Sequence, residues 1–180
     1  MREEFQNKIR MYESVNDVAL KGEIVVFGST FTANFPFYEL SQKYVLSYAI
    51  YNRSIEGLTL SEAEEGLDVC VLQVKPSKIF LDLGEKDLEN SSAFAVYQRI
   101  IMKIKAKLPE TGVYLLPVRG DGAEKFNLGL RTLAEKTESK FLPLDLSDGK
   151  IVYGKIFKEM SRFFRKNPLS FCEAFALASK

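Results

Sequence analysis

The chain predicts a three-layer α/β/α sandwich built around a five-stranded parallel sheet. Two observations carry that expectation. Five short strand-like runs, at residues 23–27, 47–52, 78–83, 113–117 and 141–144, alternate with helical stretches over most of the 180 residues. Alternation of this kind belongs to a parallel sheet with helices on both faces. The first run, EIVVF, is apolar almost throughout, as suits a strand buried on both faces.

The elements follow in order. Residues 2–14 predict a helix, because Phe5, Ile9 and Tyr12 fall on one stripe at spacings of four and three. Gly22 precedes the first strand. Pro36 opens a short helix, FPFYELSQKY, consistent with proline's preference for a first helical turn. SYAIYN is the second strand. Thr59 with Glu62, and Ser61 with Glu64, both fit a capping box. The helix they start would turn Ala63, Leu67 and Val71 inward. Pro76 separates it from the third strand, KIFLDL. Residues 92–108 give the clearest helix, with Phe94, Tyr97, Ile101, Ile104 and Leu108 on one apolar face. Pro109 and Gly112 stop it before strand four. A helix over 124–137 leads to strand five. A final helix carries Ile156, Phe157, Met160, Phe163 and Phe164, and Pro168 ends it.

Residues 1–166 read as one domain that includes the N-terminal helix, and 167–180 as a helical tail. At this size folding buries about 70% of the unfolded chain's surface, so no disulfide or metal is needed to support the core. Lys and Arg number 25 against 24 Asp and Glu, a net charge of +1. A balanced surface of this kind attracts neither nucleic acid nor an anionic membrane. Cys70 and Cys172 lie in apolar stretches and read as buried thiols. Two cysteines without histidine fall short of a metal site, and neither metal nor cofactor is expected. The N-terminus MREEFQNKIRMY carries charges where a secretory signal needs an apolar run, and no stretch reaches the roughly 20 apolar residues of a membrane span. A cytoplasmic protein is the expectation.

Ligands of parallel sheets sit at the carboxyl ends of the strands. Three loops should open there: Gly28-Ser29-Thr30-Phe31-Thr32, Asn52-Arg53-Ser54-Ile55-Glu56-Gly57 and Gly84-Glu85-Lys86-Asp87. An acyl-transfer site needs a nucleophile, a base and donors for the oxyanion. The strings VVFGSTFT, NRSIEGLTL and PSKIFLDLGEKDL resemble, in order and flanks, three sequence blocks of the SGNH hydrolases, also called GDSL-like lipases or acylhydrolases. The resemblance spans residues 15–165. It implies an esterase of small acyl groups, in a family with a branch similar to platelet-activating-factor acetylhydrolases.

The departures from that pattern fall on the chemistry. Thr30 stands where the resemblance implies the serine nucleophile, and Ser29 where it implies the aspartate. Ser54 replaces the glycine whose N–H helps bind the oxyanion, and Lys86 the asparagine that supplies the other donor. Asn52, Gly84 and Asp87 match the pattern. The family's Asp-x-x-His block finds its best match in Asp148-Gly149-Lys150-Ile151, which puts Ile151 at the place of the base. The chain contains no histidine at all.

Three functions are consistent with these residues. The first is a catalytically impaired member, a pseudoenzyme that binds a small acyl or glycan-type ligand or serves as a scaffold. The second is a rewired esterase in which Thr30 is paired with Lys86, since serine–lysine pairs replace the triad on other folds. Lys86 would have to be neutral to act as a base, and Arg53 could supply the charge that favours neutrality. The third is a flavodoxin-like carrier, because GSTFTAN after a strand also resembles a loop that cradles the phosphate of flavin mononucleotide. Against the third stand Thr32 in place of a glycine and the proline before the next helix. The tail, with Phe171 and Phe175, can pack on its own domain or join two copies as a homodimer.

Overall fold

A computed structural model of the chain describes residues 2–43, 46, 48–146 and 151–164. Five parallel strands form one sheet in the order β2-β1-β3-β4-β5. They are β1 (Ile24–Gly28), β2 (Ile50–Asn52), β3 (Lys78–Asp82), β4 (Gly112–Leu115) and β5 (Lys140–Phe141). The helices are α1 (Glu3–Val15), α2 (Thr30–Ala33), α3 (Phe37–Lys43), α4 (Leu60–Leu67), α5 (Ala93–Lys107), α6 (Ala123–Lys136) and α7 (Tyr153–Phe164). A π-helical stretch, Asp68–Leu72, continues α4.

Side chains alternate across a strand, and here the alternation divides the core into two layers. Val25 and Phe27 of β1, with Ile79 and Leu81 of β3, face α1, α4, α5 and α6 through Phe5, Leu67, Ile101 and Leu130. Ile24, Val26 and Phe80 face α3 and α7 through Phe37, Phe157, Met160 and Phe164. The expected three layers follow from this. Phe80 lies stacked on Tyr114 at 4.8 Å and meets Phe164 edge-on at 5.0 Å, which seats α7 on the sheet. The Lys78 ammonium donates to the Phe163 carbonyl at 2.8 Å, placing a cation at the negative end of α7.

Most helices begin and end close to where the sequence puts them. Phe5 and Tyr12 of α1 are buried as expected. The α4 capping box is the one formed by Thr59 and Glu62. The Thr59 hydroxyl accepts the Glu62 N–H at 3.3 Å, and Glu62 accepts the Thr59 N–H at 3.1 Å. Ile100, outside the expected stripe of α5, is also buried, because α6 packs beside α5 and widens the covered face. Strand five is shorter than expected. It closes at Phe141, and Pro143, which has no N–H to give a ladder, follows two residues later. The short helix α2 was not expected, since four residues carry no periodicity. Cys70 is buried, and its thiol is pushed up to about 12 by that burial. Cys172, Phe171, Phe175 and the rest of the tail lie outside the described residues.

Candidate functional site

The sheet register brings the three loops together. Gly28, at the carboxyl end of β1, pairs with Asp82 at the end of β3, and Val26 pairs with Asn52 at the end of β2. The ladder runs on into the loops. Ser29 N–H donates to the Asp82 carbonyl at 2.8 Å, Arg53 N–H to Val26 at 2.7 Å and Ile55 N–H to Gly28 at 2.9 Å. Gly28 is the tight point of this junction. A Cβ there would press on the Thr32 hydroxyl and on Asp82, so only glycine fits.

Thr30 opens α2 and bonds to both other loops, through its side chain to the second and through its backbone N–H to the third. The Gly57 N–H donates to the Thr30 hydroxyl at 3.3 Å, and the Thr30 N–H donates to the Glu85 carboxylate at 3.2 Å. Ser29 is fully buried, and its hydroxyl has no hydrogen-bond partner among the described residues. Ser54 donates its N–H to the Asn52 side-chain oxygen at 3.1 Å and its hydroxyl to Thr32 at 2.9 Å. The Asn52 amide donates to the Thr32 carbonyl at 2.8 Å. Asn52 and Ser54 therefore knit the second loop to α2.

The third loop turns at Gly84, whose φ of 106° is left-handed and whose face lies against the Phe126 ring. Asp87 reaches across to α4, where it accepts the Leu60 N–H at 2.9 Å. A carboxylate there meets the positive end of the helix. Lys86 is exposed, with its aliphatic stem beside Gly57. It makes no hydrogen bond to Thr30 among the described residues. Asp148 lies outside the described residues.

Arg53 takes a different direction from the loop around it. Its side chain turns into the core, 4% exposed, with the guanidinium 4.7 Å from the Tyr12 ring centroid and 5.6 Å from that of Tyr51. Its described hydrogen bond goes to the Tyr12 carbonyl at 3.5 Å. Burial lowers its pKa. Tyr12 in turn donates its hydroxyl to the Ser54 carbonyl at 3.1 Å.

Beside Thr30 lies a cavity of about 170 Å³ lined by Thr30, Phe31, Asn34, Asp82, Glu85, Arg119 and Tyr153. Four of these, Asp82, Glu85, Arg119 and Tyr153, had no role from sequence reasoning. Asp82 and Glu85 both sat within the third block already singled out, PSKIFLDLGEKDL, whereas Arg119 and Tyr153 lay outside every block. Asp82 is 2% exposed. Its Oδ2 accepts the Thr32 hydroxyl at 2.9 Å and the Thr32 N–H at 3.1 Å. Burial pushes its carboxyl up to about 6, opposed by the two Thr32 hydrogen bonds, reinforced by Glu85 and opposed by Arg119. Phe35 holds the aromatic wall, meeting Phe31 edge-on at 5.5 Å and Tyr153 edge-on at 5.3 Å. Larger grooves lie elsewhere. One of about 660 Å³ follows α3 and β2, and one of about 550 Å³ follows the loop from Pro117 into α6. Of the three loops, the first and third meet at the small cavity, through Thr30, Phe31 and Glu85, while Asn52 of the second lines the groove along α3 and β2.

No protein-family model matches the chain, and no curated protein matches it by sequence. Solved structures do match its fold. A protein provisionally named a platelet activating factor from Streptococcus pneumonia superposes with a TM-score of 0.79 at 19% identity, over 91% of this chain and 94% of that one. A GDSL-like lipase from Bacteroides thetaiotaomicron gives 0.70 at 15% identity, over 89% and 98%. The psychrotrophic esterase EstA from Pseudoalteromonas sp. gives 0.63 at 18% identity, over 79% and 96%. The chain has the fold of the GDSL-like, or SGNH, hydrolases.

Proposed function

We propose that this chain carries a GDSL-like hydrolase fold whose ester hydrolysis is lost or strongly impaired, and that it works by binding a small ligand. The observation behind this reading is the Glu85 carboxylate on the Thr30 N–H. In acyl transfer on this fold the negative charge grows beside the residue that attacks, and it needs free donors there. The Thr30 amide is engaged by a carboxylate, and the Ser54 amide by the Asn52 side chain. A charge developing beside Thr30 would meet Glu85 at close range, where like charges repel by more than in bulk water. The sequence supplies no histidine to take the proton. Oxyanion donors account for much of what survives when a triad is dismantled, so with the Thr30 and Ser54 amides engaged and Lys86 in the place of the asparagine donor, little should remain.

The rewired esterase is the second reading. Thr30 and Lys86 both lie beside Gly57, whose N–H holds the Thr30 hydroxyl. One assay separates the two. A short-chain nitrophenyl ester is offered to the wild-type protein, to Thr30→Val and to Lys86→Met. Equal rates near background support the binding protein. A clear rate in the wild type that disappears in both variants establishes the threonine–lysine enzyme instead.

A further inference from the structure

We infer that the groove along α3 and β2 is the seat of the chain's own residues 169–180, which dock there as an amphipathic helix and complete the helical layer on that face of the sheet.

The two faces of the sheet are unequally covered. One carries α1, α4, α5 and α6, the other α3 and α7 beside the four-residue α2. A parallel sheet is ordinarily buried on both faces. Here β1 and β3 are buried throughout, whereas all three residues of β2 are half-buried. The groove of about 660 Å³ lies along this strand, and Phe35, Phe37, Leu46, Tyr48 and Ile50 give it apolar walls. Glu39 is its one charged lining residue among the described residues.

The end of α7 delivers the following chain to this groove. Its last residue, Phe164, meets the groove residue Tyr48 edge-on, with ring centroids 6.2 Å apart. Pro168 keeps residues 169–180 from simply extending α7. Residues 165–168 can span about 13 Å, enough to turn into the groove. The spacing of residues 169–180 predicts a helix with Phe171, Phe175 and Ala178 on one stripe and Glu173 and Lys180 opposite. Such a helix is about 18 Å long, and the segment from Tyr48 to Asn52 covers roughly 16 Å. The charges agree as well, since residues 165–180 set Arg165, Lys166 and Lys180 against Glu173 alone, a net positive segment for a groove that carries Glu39. A segment tethered this close meets the groove at a high effective concentration, which a second copy matches only in concentrated solution. The groove ends at Asn52, whose amide holds the Thr32 carbonyl at 2.8 Å. The seated helix thereby stands beside the second of the site loops.

The test uses Cys172 of the full chain as a native probe. Single cysteines are placed in the groove as Glu39→Cys, Ser41→Cys and Gln42→Cys, and outside it as Lys158→Cys on the exposed side of α7. Lys158 lies less than two turns before Phe164, so Cys172 can reach it along the chain. Cys70 is buried, with its thiol pushed up to about 12, and stays unreactive. Under mild oxidation at low protein concentration, at least one groove position should form a disulfide with Cys172 within the monomer. It should form about tenfold or more faster than at Lys158→Cys, because docking raises the local thiol concentration. Phe171→Asp together with Phe175→Asp should abolish that preference, while a dispersed amide spectrum shows the sheet intact. Non-reducing mass analysis reads which sulfurs are joined and whether one copy or two are present. The inference is overturned by equal rates in groove and control, or by no monomer disulfide at any groove position. Bonds that join two copies instead, or a preference that survives the double aspartate change, overturn it as well.

Discussion

The Glu85 carboxylate accepts the backbone N–H of Thr30 at 3.2 Å, joining the loop after β3 to the first turn of α2. Thr30 is thereby held from two sides, since Gly57 donates to its hydroxyl. Replacing Glu85 by alanine should free the Thr30 amide without unfolding the protein. The expected cost is about 1 kcal/mol, the net worth of one hydrogen bond at a partly exposed site. Hydrogen exchange at the Thr30 amide should quicken, while the amides of β1 and β3 keep their protection. Uniform loss of protection across the sheet would show that Glu85 supports the whole fold.

Asp82 gives the protein a pH dependence opposite to that of a carboxylate in a salt bridge. Its carboxyl is raised from 3.8 to about 6 by burial. Between those values the folded chain keeps a proton that the unfolded chain has released. The contribution to stability is therefore fully present below about pH 4 and is lost as pH rises through about 6. Urea unfolding of the wild type and Asp82→Asn at pH 4 and pH 7 isolates this effect. The wild type should lose stability relative to the variant by on the order of 3 kcal/mol over that range. A difference that is flat with pH would mean that Asp82 titrates near its ordinary value.

Arg53 is a cation placed against two tyrosine rings in the core, with no carboxylate among its described partners. Much of what it contributes should be packing, and its charge carries a desolvation cost. Arg53→Met, which keeps much of the length, should change stability by less than about 1.5 kcal/mol. Arg53→Ala should cost about 2–4 kcal/mol, because it opens a cavity beneath Tyr12 and Tyr51. Denaturant midpoints of the two variants make the comparison. Equal losses in both would mean that the charge, rather than the volume, matters there.

Local features were the most legible in the sequence. The Thr59–Glu62 capping box lies within four residues and appears as read, and strand–helix alternation gives the layers. The three loop blocks are contiguous, so their convergence followed once the strands were parallel. Side-chain direction within them was harder to read. Arg53 and Ser54 are neighbours, yet one lines the core under Tyr12 and the other bonds to Thr32. The cavity itself draws on residues far apart in the chain. Asp82 comes from β3, Arg119 from the segment after β4 and Tyr153 from the start of α7. No spacing rule connects these positions, because sheet register and the packing of α7 bring them together. Asp82 lies inside the third block, but its partner Thr32 is 50 residues away.

The outermost strands of the sheet are also its shortest, three residues in β2 and two in β5. Each rim therefore offers an incoming strand only a brief row of open amides and carbonyls, too little for a lengthening ribbon of copies to propagate. A protein with five buried parallel strands is in this way protected from its own most adhesive surface.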